Sequence, residues 1–319
     1  MKEITRHSLE IVWRRHLPVR ARRIIQVLTG GRSMRSRAAR WMAFPVLRHL
    51  TPAIMVRDGA VRCLVWTSDT TIGRSLFANR TQDSTQLAQA LKVVASRLDL
   101  PTGAVFVDVG ANIGTASLVA LSTGNFRMAV SIEPDARNLE LLRANVVLNG
   151  CSDRVHIVSA AASDVNGVEA EVEVDSRNFG DNRVLSPHAS AIHRRVGTSV
   201  QTTTLVRLDI ILPCIPGFSA KDALYWIDVQ GHETEVLRGL GNLLDAAFGV
   251  VIELDPALHA PRAGLAEIAS ILSSSGNWFA ELGPHVGQIR STAELPQFVT
   301  ELDRSYRGTN VVVFGRRAD

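Results

Sequence analysis

Short apolar runs that each end in an acidic residue recur along the chain. The clearest run is AVFVD, residues 104–108, which is followed by a glycine-bearing turn and then by a helical pattern of small residues. A buried parallel strand, a tight loop and a closely packed helix produce this order. The run AVSIE, residues 129–133, repeats the strand pattern, and a second helical pattern follows it as far as Asn149-Gly150.

Two later runs have the same form, namely LYWID at residues 224–228 and VVIE at residues 250–253. Ligands of open parallel sheets bind outside the carboxyl ends of the strands. We therefore expect one crevice lined with carboxylates, although any one of these acids can instead be a helix N-cap. The four acids are Asp108, Glu133, Asp228 and Glu253.

The rest of the core is predicted as alternating strands and helices. Strands are expected at 155–158, 201–208, 278–282 and 310–314, with helices at 265–272 and 292–302. This order indicates an α/β fold with a Rossmann-like, doubly wound, mostly parallel sheet of seven strands. The polar, glycine-punctuated segment 176–199 is interpreted as a lid, a substrate-facing insertion or a surface loop.

The chain is basic at its beginning and acidic in the remainder. It has 319 residues and a net charge of +4, but residues 1–80 hold sixteen Lys or Arg against four acids. We expect a basic helical extension over 1–53 and one large domain over 54–319. Within that domain, 54–99 form a lead-in hairpin, built on an Asp58-Gly59 turn, and a helix, and 100–319 form the core.

The basic extension has two stretches, 8–28 and 32–48, in which apolar residues alternate with arginines, and Pro18 interrupts the first. Such segments bind anionic membrane surfaces or partner proteins. Alternatively, they pack their apolar side on the core and leave the arginines in water. No recognition motif supports nucleic-acid binding, so none is expected.

The same sequence bears on compartment and metals. No apolar stretch is long enough to span a bilayer, and the start lacks the apolar core of a signal peptide. The cysteines Cys63, Cys151 and Cys214 show no metal or redox spacing, and His188 and His193 are five residues apart. We expect a cytoplasmic protein, with peripheral membrane contact through the extension as an option, and no resident metal.

The first strand-loop-helix unit carries the clearest ligand chemistry. Gly110 and Gly114 permit close approach of backbone to a ligand, and Asp108 places a carboxylate at the strand exit. This pairing favours a nucleotide-like ligand with a cationic group over one with a pyrophosphate. Glu133 lies 23 residues after Gly110, about where an acid meets ribose hydroxyls in such units.

Three motifs together resemble the FkbM family of S-adenosylmethionine-dependent methyltransferases. They are VDVGANIG (residues 107–114), IEPDARNLELLRANVVLNG (132–150) and IDVQGHETEVLRG (227–239). The resemblance covers roughly residues 55–315. It implies a class I methyltransferase fold whose last strand runs antiparallel, and methyl transfer to a hydroxyl, often on a sugar or a natural product.

The resemblance also implies roles for individual residues. The loop 108–114 would hold the methionine part of S-adenosylmethionine, Glu133 the ribose hydroxyls, and Asp164 would approach the adenine amino group. The cofactor-binding residues so implied are Asp108, Gly110, Ala111, Asn112, Gly114, Glu133, Pro134 and Asp164.

The third motif departs from the family pattern at two positions. The family usually has Lys two residues before Asp228 and Glu two residues after it, where this chain has Trp226 and Gln230. A hydroxyl acceptor must lose a proton at or near the transition state. Asp228 is the first candidate for the base because it ends a strand that faces the crevice, and His232 and Glu233 are the alternatives.

Other functions stay open at the level of sequence. An NAD-dependent oxidoreductase would want G-x-G-x-x-G, which Gly110 and Gly114 do not supply. A methyltransferase for nucleic-acid bases would want an Asn-Pro-Pro-Tyr-like sequence. A non-catalytic S-adenosylmethionine-binding or scaffold protein is the third alternative. A metal-assisted reaction using Asp228 with Glu253 or Asp255 is a minor option.

Overall fold

The computed structural model describes residues 36–80, 83–185, 195–259, 263–283 and 288–315. The predicted helices of 8–28 and the residues His188 and His193 lie outside these ranges.

The first described elements form a layer that packs against the sheet. They are α1 (Arg37–Leu47), β1 (Ala53–Asp58), β2 (Val61–Trp66), α2 (Ile72–Asn79) and α3 (Asp83–Ala95). The antiparallel pairing of β1 with β2 confirms the predicted hairpin, and Gly59 in its turn has φ of 57°. The predicted helix corresponds to α3. The short helix α2 was not predicted.

The first half of the core follows the predicted order. Its elements are β3 (Ala104–Val109), α4 (Thr115–Ser122), β4 (Phe126–Ile132), α5 (Ala136–Leu148) and β5 (Val155–Val158). All of β3 is buried, which explains its uninterrupted apolar run. The side chain of Asp135 accepts a hydrogen bond from the Arg137 N–H and so begins α5.

A second, four-stranded sheet interrupts the core. It consists of β6 (Ala161–Ala162), β7 (Val168–Asp175), β8 (Arg183–Val184) and β9 (Thr198–Val206), with β7 antiparallel to β9. Only β9 was predicted. The sequence of β7, VEAEVEVD, alternates as a half-exposed strand does, and this period-two signal was available but was missed.

The remaining elements return to the main sheet. They are α6 (Leu208–Ile211), β10 (Ala223–Ile227), α7 (Glu233–Leu240), α8 (Asn242–Ala246), β11 (Gly249–Leu254), α9 (Ala263–Ser275), β12 (Trp278–Glu281), β13 (Arg290–Ser291), α10 (Leu295–Ser305) and β14 (Thr309–Phe314).

The order of strands in the main sheet is β13-β12-β14-β11-β10-β3-β4-β5. Strands β5, β4, β3, β10 and β11 pair in parallel, and β14 pairs antiparallel with both β11 and β12. The order reverses at β3, so the crevice of this Rossmann-like sheet opens between β3 and β10. The predicted doubly wound sheet with an antiparallel last strand is confirmed, and the short β13 adds an eighth strand.

The sheet carries an apolar core on each of its two faces. Phe106 and Trp226 lie on the face towards the N-terminal layer, with ring centroids 6.0 Å apart. Tyr225 and Ile252 lie on the opposite face among residues of α9 and α10. Within the described ranges, no helix combines the length and the apolar character needed to cross a bilayer.

Candidate active site

A crevice opens at the carboxyl ends of β3, β4 and β10, as the sheet topology predicts. Its walls contain six of the residues predicted from sequence. The two loops that follow β3 and β10 form its floor, and the ends of β4 and β6 form one side. The six predicted residues are Gly110, Asn112, Glu133, Pro134, Asp228 and His232.

The loop after β3 depends on a glycine at position 110. Gly110 has φ of 86°, and a Cβ atom there would lie 1.9 Å from the carbonyl oxygen of Asp228. No side chain can be accommodated at that distance, so the loops after β3 and β10 touch through backbone alone. Asn112 also has a positive φ, 50°, and donates its backbone N–H to Glu133 Oε2 at 2.8 Å. Such conformations cluster at functional sites.

Glu133 joins this loop to the start of α5. Besides the Asn112 bond, its Oε1 accepts from the Asp135 N–H at 2.9 Å and from Asn138 Nδ2 at 3.3 Å. Burial raises the pKa of Glu133 to about 7, although these donors work against the shift. The carboxylate is therefore held in one orientation at the rim of the crevice.

Asp108 is not brought into the crevice. Only 1% of the residue is exposed, and its Oδ2 accepts from both the backbone N–H and the hydroxyl of Ser117, at 3.0 and 2.6 Å. Ser117 lies in the first turn of α4, where a carboxylate satisfies free N–H groups. The Asp108 side chain is thus turned towards the helix, and its role in facing a cationic ligand stays a prediction.

Asp228 lies at the floor of the crevice, and Gln230 links it to Glu253, which is not among the residues that line the crevice. The side-chain amide of Gln230 donates to Asp228 Oδ1 at 2.6 Å and to Glu253 Oε2 at 2.9 Å. Burial raises the pKa of Glu253 to about 9, and the charge of Asp228 adds to that shift. Packing of neighbouring groups around Asp228 reduces its hydration and raises its pKa, and the charge of Glu233 raises that pKa further. The side chain of Asp228 is nevertheless exposed to the crevice.

Glu233 supports this floor from behind and does not face the crevice. It is fully buried, and its Oε1 and Oε2 accept from the backbone N–H groups of Val229 and Gly231, at 3.1 and 3.0 Å respectively. His259 Nε2 lies 3.1 Å from Glu233 Oε2. Glu233 therefore positions the loop that carries Asp228.

His232 lines the crevice but has partners on both ring nitrogens. Nε2 lies 3.1 Å from the hydroxyl of Ser163, and Nδ1 lies 3.6 Å from Glu235 Oε2. Burial lowers the pKa of His232 despite the neighbouring acids, so the ring is neutral at pH 7.

Three other predicted residues lie outside the crevice walls. Gly114 caps α4 with φ of 83°, and a Cβ there would lie 3.2 Å from Leu142 Cγ. Ala111 is buried, and its N–H donates to the Ile132 carbonyl at 2.9 Å. Asp164 pairs with Arg238 at 3.3 Å on the neighbouring surface. The first two residues shape the loop, whereas the third is not brought to the site.

A segment between β7 and β8 lies across the crevice. The carbonyl of Phe179 accepts from Asn112 Nδ2 at 2.9 Å and from Asn138 Nδ2 at 3.0 Å. Asn182 Nδ2 donates to Asp135 Oδ2 at 2.8 Å. The enclosed volume is about 50 Å³, below the roughly 300–1,000 Å³ of typical small-molecule sites. A nucleoside-sized ligand therefore requires this segment to move outwards.

Sequence analysis missed Asn138, Phe179 and Asn182. Asn138 lies in the first turn of α5, five residues after Glu133, a spacing that gives no helical signal linking the two residues. The other two come from the second sheet, and no local pattern shows which loop folds over the crevice. Among the described residues, no group of three or more His, Cys, Asp or Glu side chains is arranged to hold a metal ion.

Trp226 stands where the family usually has Lys. It lies on β10 opposite Asp108 of β3 and is largely buried. Its ring packs against Phe106 and points away from the crevice. Trp226 therefore contributes to the apolar core, and Gln230 is the departure from the family pattern that lies at the crevice floor.

Several solved structures are similar to this chain. A structure of methyltransferase FkbM from Methylobacillus flagellatus is 14% identical, with a TM-score of 0.43, over 76% of this chain and 52% of that one. The chain thus spans about half the length of that protein. A SAM-dependent methyltransferase from Agrobacterium tumefaciens is 11% identical, with a TM-score of 0.41, over 83% and 71% of the two chains.

A precorrin-6y C5,15-methyltransferase from Geobacter metallireducens is 12% identical, with a TM-score of 0.34, over 70% of this chain and 85% of that one. No curated protein matches the sequence. The sequence profile described as the methyltransferase FkbM domain matches residues 108–290, more than half of the chain and all of the crevice floor. The protein therefore belongs to the FkbM methyltransferase family.

Proposed function

We propose that the protein transfers a methyl group from S-adenosylmethionine to a hydroxyl oxygen, on a sugar or a natural product. The observation that carries the proposal is the close backbone approach of the Gly110 loop to Asp228 at the floor of one crevice, where Gln230 links Asp228 to Glu253. The loop suits a nucleoside-bearing donor, and the Asp228 carboxylate suits a cationic centre and an acceptor that must lose a proton.

The residues present fit such a donor. Asn138 is buried at the crevice wall, and its Oδ1 has no hydrogen-bond partner among the residues that the structure describes. That oxygen and the Glu133 carboxylate are acceptors for ribose hydroxyls. The backbone carbonyls of Gly110 and Asn112 would accept from the ammonium group of the amino-acid end, since both N–H groups are bonded within the protein. When bound, S-adenosylmethionine supplies an electrophilic methyl group on a positively charged sulfur.

Asp228 is the group best placed to act as the base. Of the three candidates, Glu233 is fully buried and accepts bonds from the loop backbone, and His232 has Nε2 3.1 Å from the Ser163 hydroxyl and a pKa lowered by burial, which makes it a weaker base. Asp228 alone presents its carboxylate to the open crevice. Its raised pKa brings it nearer to neutrality, as general-base catalysis requires, and a positioned base contributes about 10²–10⁴-fold.

The alternatives make different demands on the same crevice. A pyrophosphate, as in NAD, would be repelled by the carboxylate of Asp228, and no arginine or lysine is among the described residues that line the crevice. A non-catalytic scaffold would bind S-adenosylmethionine, or no ligand, and would show no transfer to any acceptor. Asp228 and Glu253 are bridged by an amide donor, which leaves no arrangement suited to a shared cation.

The proposal is tested with S-adenosylmethionine labelled on the methyl group and a panel of sugars and glycosylated natural products. We expect label on an oxygen of the product, located by NMR, and loss of transfer in Asp228→Asn. Label on nitrogen or carbon, or undiminished transfer by the variant, would contradict the proposal.

A further inference from the structure

The β1–β2 hairpin and the end of α2 line a second cavity, which shares no lining residue with the crevice. Its volume is about 270 Å³. Its apolar floor is formed by Val56, Leu76 and Phe77, and its rim carries Arg57, Arg62 and Arg80. None of the described residues that line it is acidic. We refer to this cavity, lined by these six residues and Met55, as the basic groove.

Among the residues that the structure describes, the arginines of the basic groove are not neutralised. Arg57 and Arg62 are directly opposite one another in the antiparallel pairing of β1 with β2. Like charges at such a cross-strand position destabilise the pairing. Neither these two residues nor Arg80 take part in any ion pair among the described side chains. A bound anion would relieve this repulsion.

The surface around the basic groove is both basic and apolar. Asp58 and Asp69 are the acids between residues 36 and 80, and both are buried. Exposed apolar side chains are present on α1 and β1, with Met42 69% and Met55 59% exposed. Helix α1 is connected to the groove because Phe44 packs on Phe77, with ring centroids 5.6 Å apart. Trp41 and Val46 add to the exposed apolar face of α1.

We propose that the basic groove binds the head group of an anionic phospholipid while the exposed face of α1 lies against the bilayer surface. Arginines around an apolar floor match a phosphate attached to hydrocarbon, and the exposed Trp and Met side chains match the interface. The segment before Ser36 is a poor alternative occupant of the basic groove. It holds nine Lys or Arg against two acids, so its positive charge would add to the repulsion between the groove arginines.

The test is co-sedimentation of the full chain with phosphatidylcholine vesicles that contain or lack phosphatidylglycerol. The variant is Arg57→Gln/Arg62→Gln, and the charge-matched control is Arg143→Gln/Arg304→Gln, two exposed arginines outside the groove. Removing one arginine from an anionic surface weakens binding roughly fivefold. We expect binding only to the vesicles with phosphatidylglycerol, about 25-fold weaker in the groove variant and within threefold of wild type in the control.

Three results would overturn the proposal: no sedimentation with phosphatidylglycerol vesicles, equal binding by the groove variant and wild type, or equal weakening in the variant and the control. A second measurement, thermal unfolding in the presence of inorganic phosphate, distinguishes a lipid head group from a soluble anion. If inorganic phosphate raises the Tm of wild type but not of the groove variant, while vesicles fail to bind, the groove is a soluble-anion site and the lipid assignment is wrong. Unfolding of each variant by circular dichroism confirms that it is folded.

Discussion

The side-chain amide of Gln230 donates a hydrogen bond of 2.6 Å to the carboxylate of Asp228. The same nitrogen donates to Glu253, so one neutral donor serves two acids. Where the family usually has a third carboxylate, this chain therefore has a group that favours the ionised form of Asp228. The presence of Gln230 in place of Glu therefore alters the protonation equilibria of Asp228 and Glu253, and both acids are retained.

Gln230→Glu should move the acidic limb of the rate–pH profile to higher pH, by about one unit or more. A third negative charge raises the pKa values of Asp228 and Glu253, so the base is protonated at a pH where it is ionised in wild type. The measurement is kcat as a function of pH with a saturating acceptor.

Gln230→Met is the matched control because it removes the donor and adds no charge. The acidic limb of the rate–pH profile of Gln230→Met should shift less than that of Gln230→Glu. An acidic limb that stays in place in both variants would show that the charge state of this pair does not govern turnover.

Asp228→Asn should abolish most turnover while leaving donor binding intact. The amide keeps the size of the side chain but cannot take a proton, so kcat should fall by about 10²–10⁴-fold, with affinity for S-adenosylmethionine within threefold. Asp245→Asn, an exposed acid on α8, is the control. A parallel loss of binding and turnover would instead make Asp228 a binding residue.

Gly110→Ala should break the backbone contact between the loop after β3 and the loop after β10. The new Cβ would lie 1.9 Å from the Asp228 carbonyl oxygen, so one loop must move, at a cost of roughly 3 kcal/mol or more in the free energy of unfolding. Gly124→Ala has a similar φ, 79°, but no atom within 4 Å of its Cβ, and should cost about 1 kcal/mol. Urea unfolding measures both. Equal costs would show that backbone strain, not the close approach, sets the glycine requirement.

Asp108→Asn should stabilise the protein increasingly as pH rises. Burial raises the pKa of Asp108 to about 7. The stability that its protonated form contributes is fully present below about pH 4 and is lost as pH rises through 7. The asparagine does not titrate, and its oxygen still accepts from Ser117, so the Tm of the variant minus that of wild type should grow between pH 4 and pH 8.

Affinity of Asp108→Asn for S-adenosylmethionine should stay within threefold of wild type, because the side chain faces Ser117 and not the crevice. A pH-independent Tm difference would contradict the burial argument. Loss of donor binding would restore the direct role that the sequence indicated for this carboxylate.

The sheet and the position of the crevice were predictable because buried parallel strands are uninterrupted apolar runs, as in β3 and β10. Glu133 and Gly110 were likewise found where local spacing put them. The direction of the Asp108 side chain was not predictable, because the same strand-end acid can face a ligand or cap the next helix. Phe179 and Asn182 reach the site through the second sheet, and such long-range placement leaves no local sequence signal.

The bridging role of Gln230 shows a second limit of the sequence. From the motif alone, replacement of Glu by Gln reads as the loss of an acid. Only the structure brings Glu253 of the neighbouring strand within 2.9 Å of the same amide. Register between β10 and β11 sets that distance, because Ile227 pairs with Ile252 immediately before the two acids.

The central claim is that this acid-lined crevice holds S-adenosylmethionine. The most direct measurement is a calorimetric titration of the full chain with S-adenosylmethionine, with NAD as the control ligand and Gly110→Ala as the control protein. The account predicts one molecule of S-adenosylmethionine bound per chain, no heat from NAD, and loss of binding in Gly110→Ala. Binding of NAD without binding of S-adenosylmethionine, or no binding of either, would contradict it.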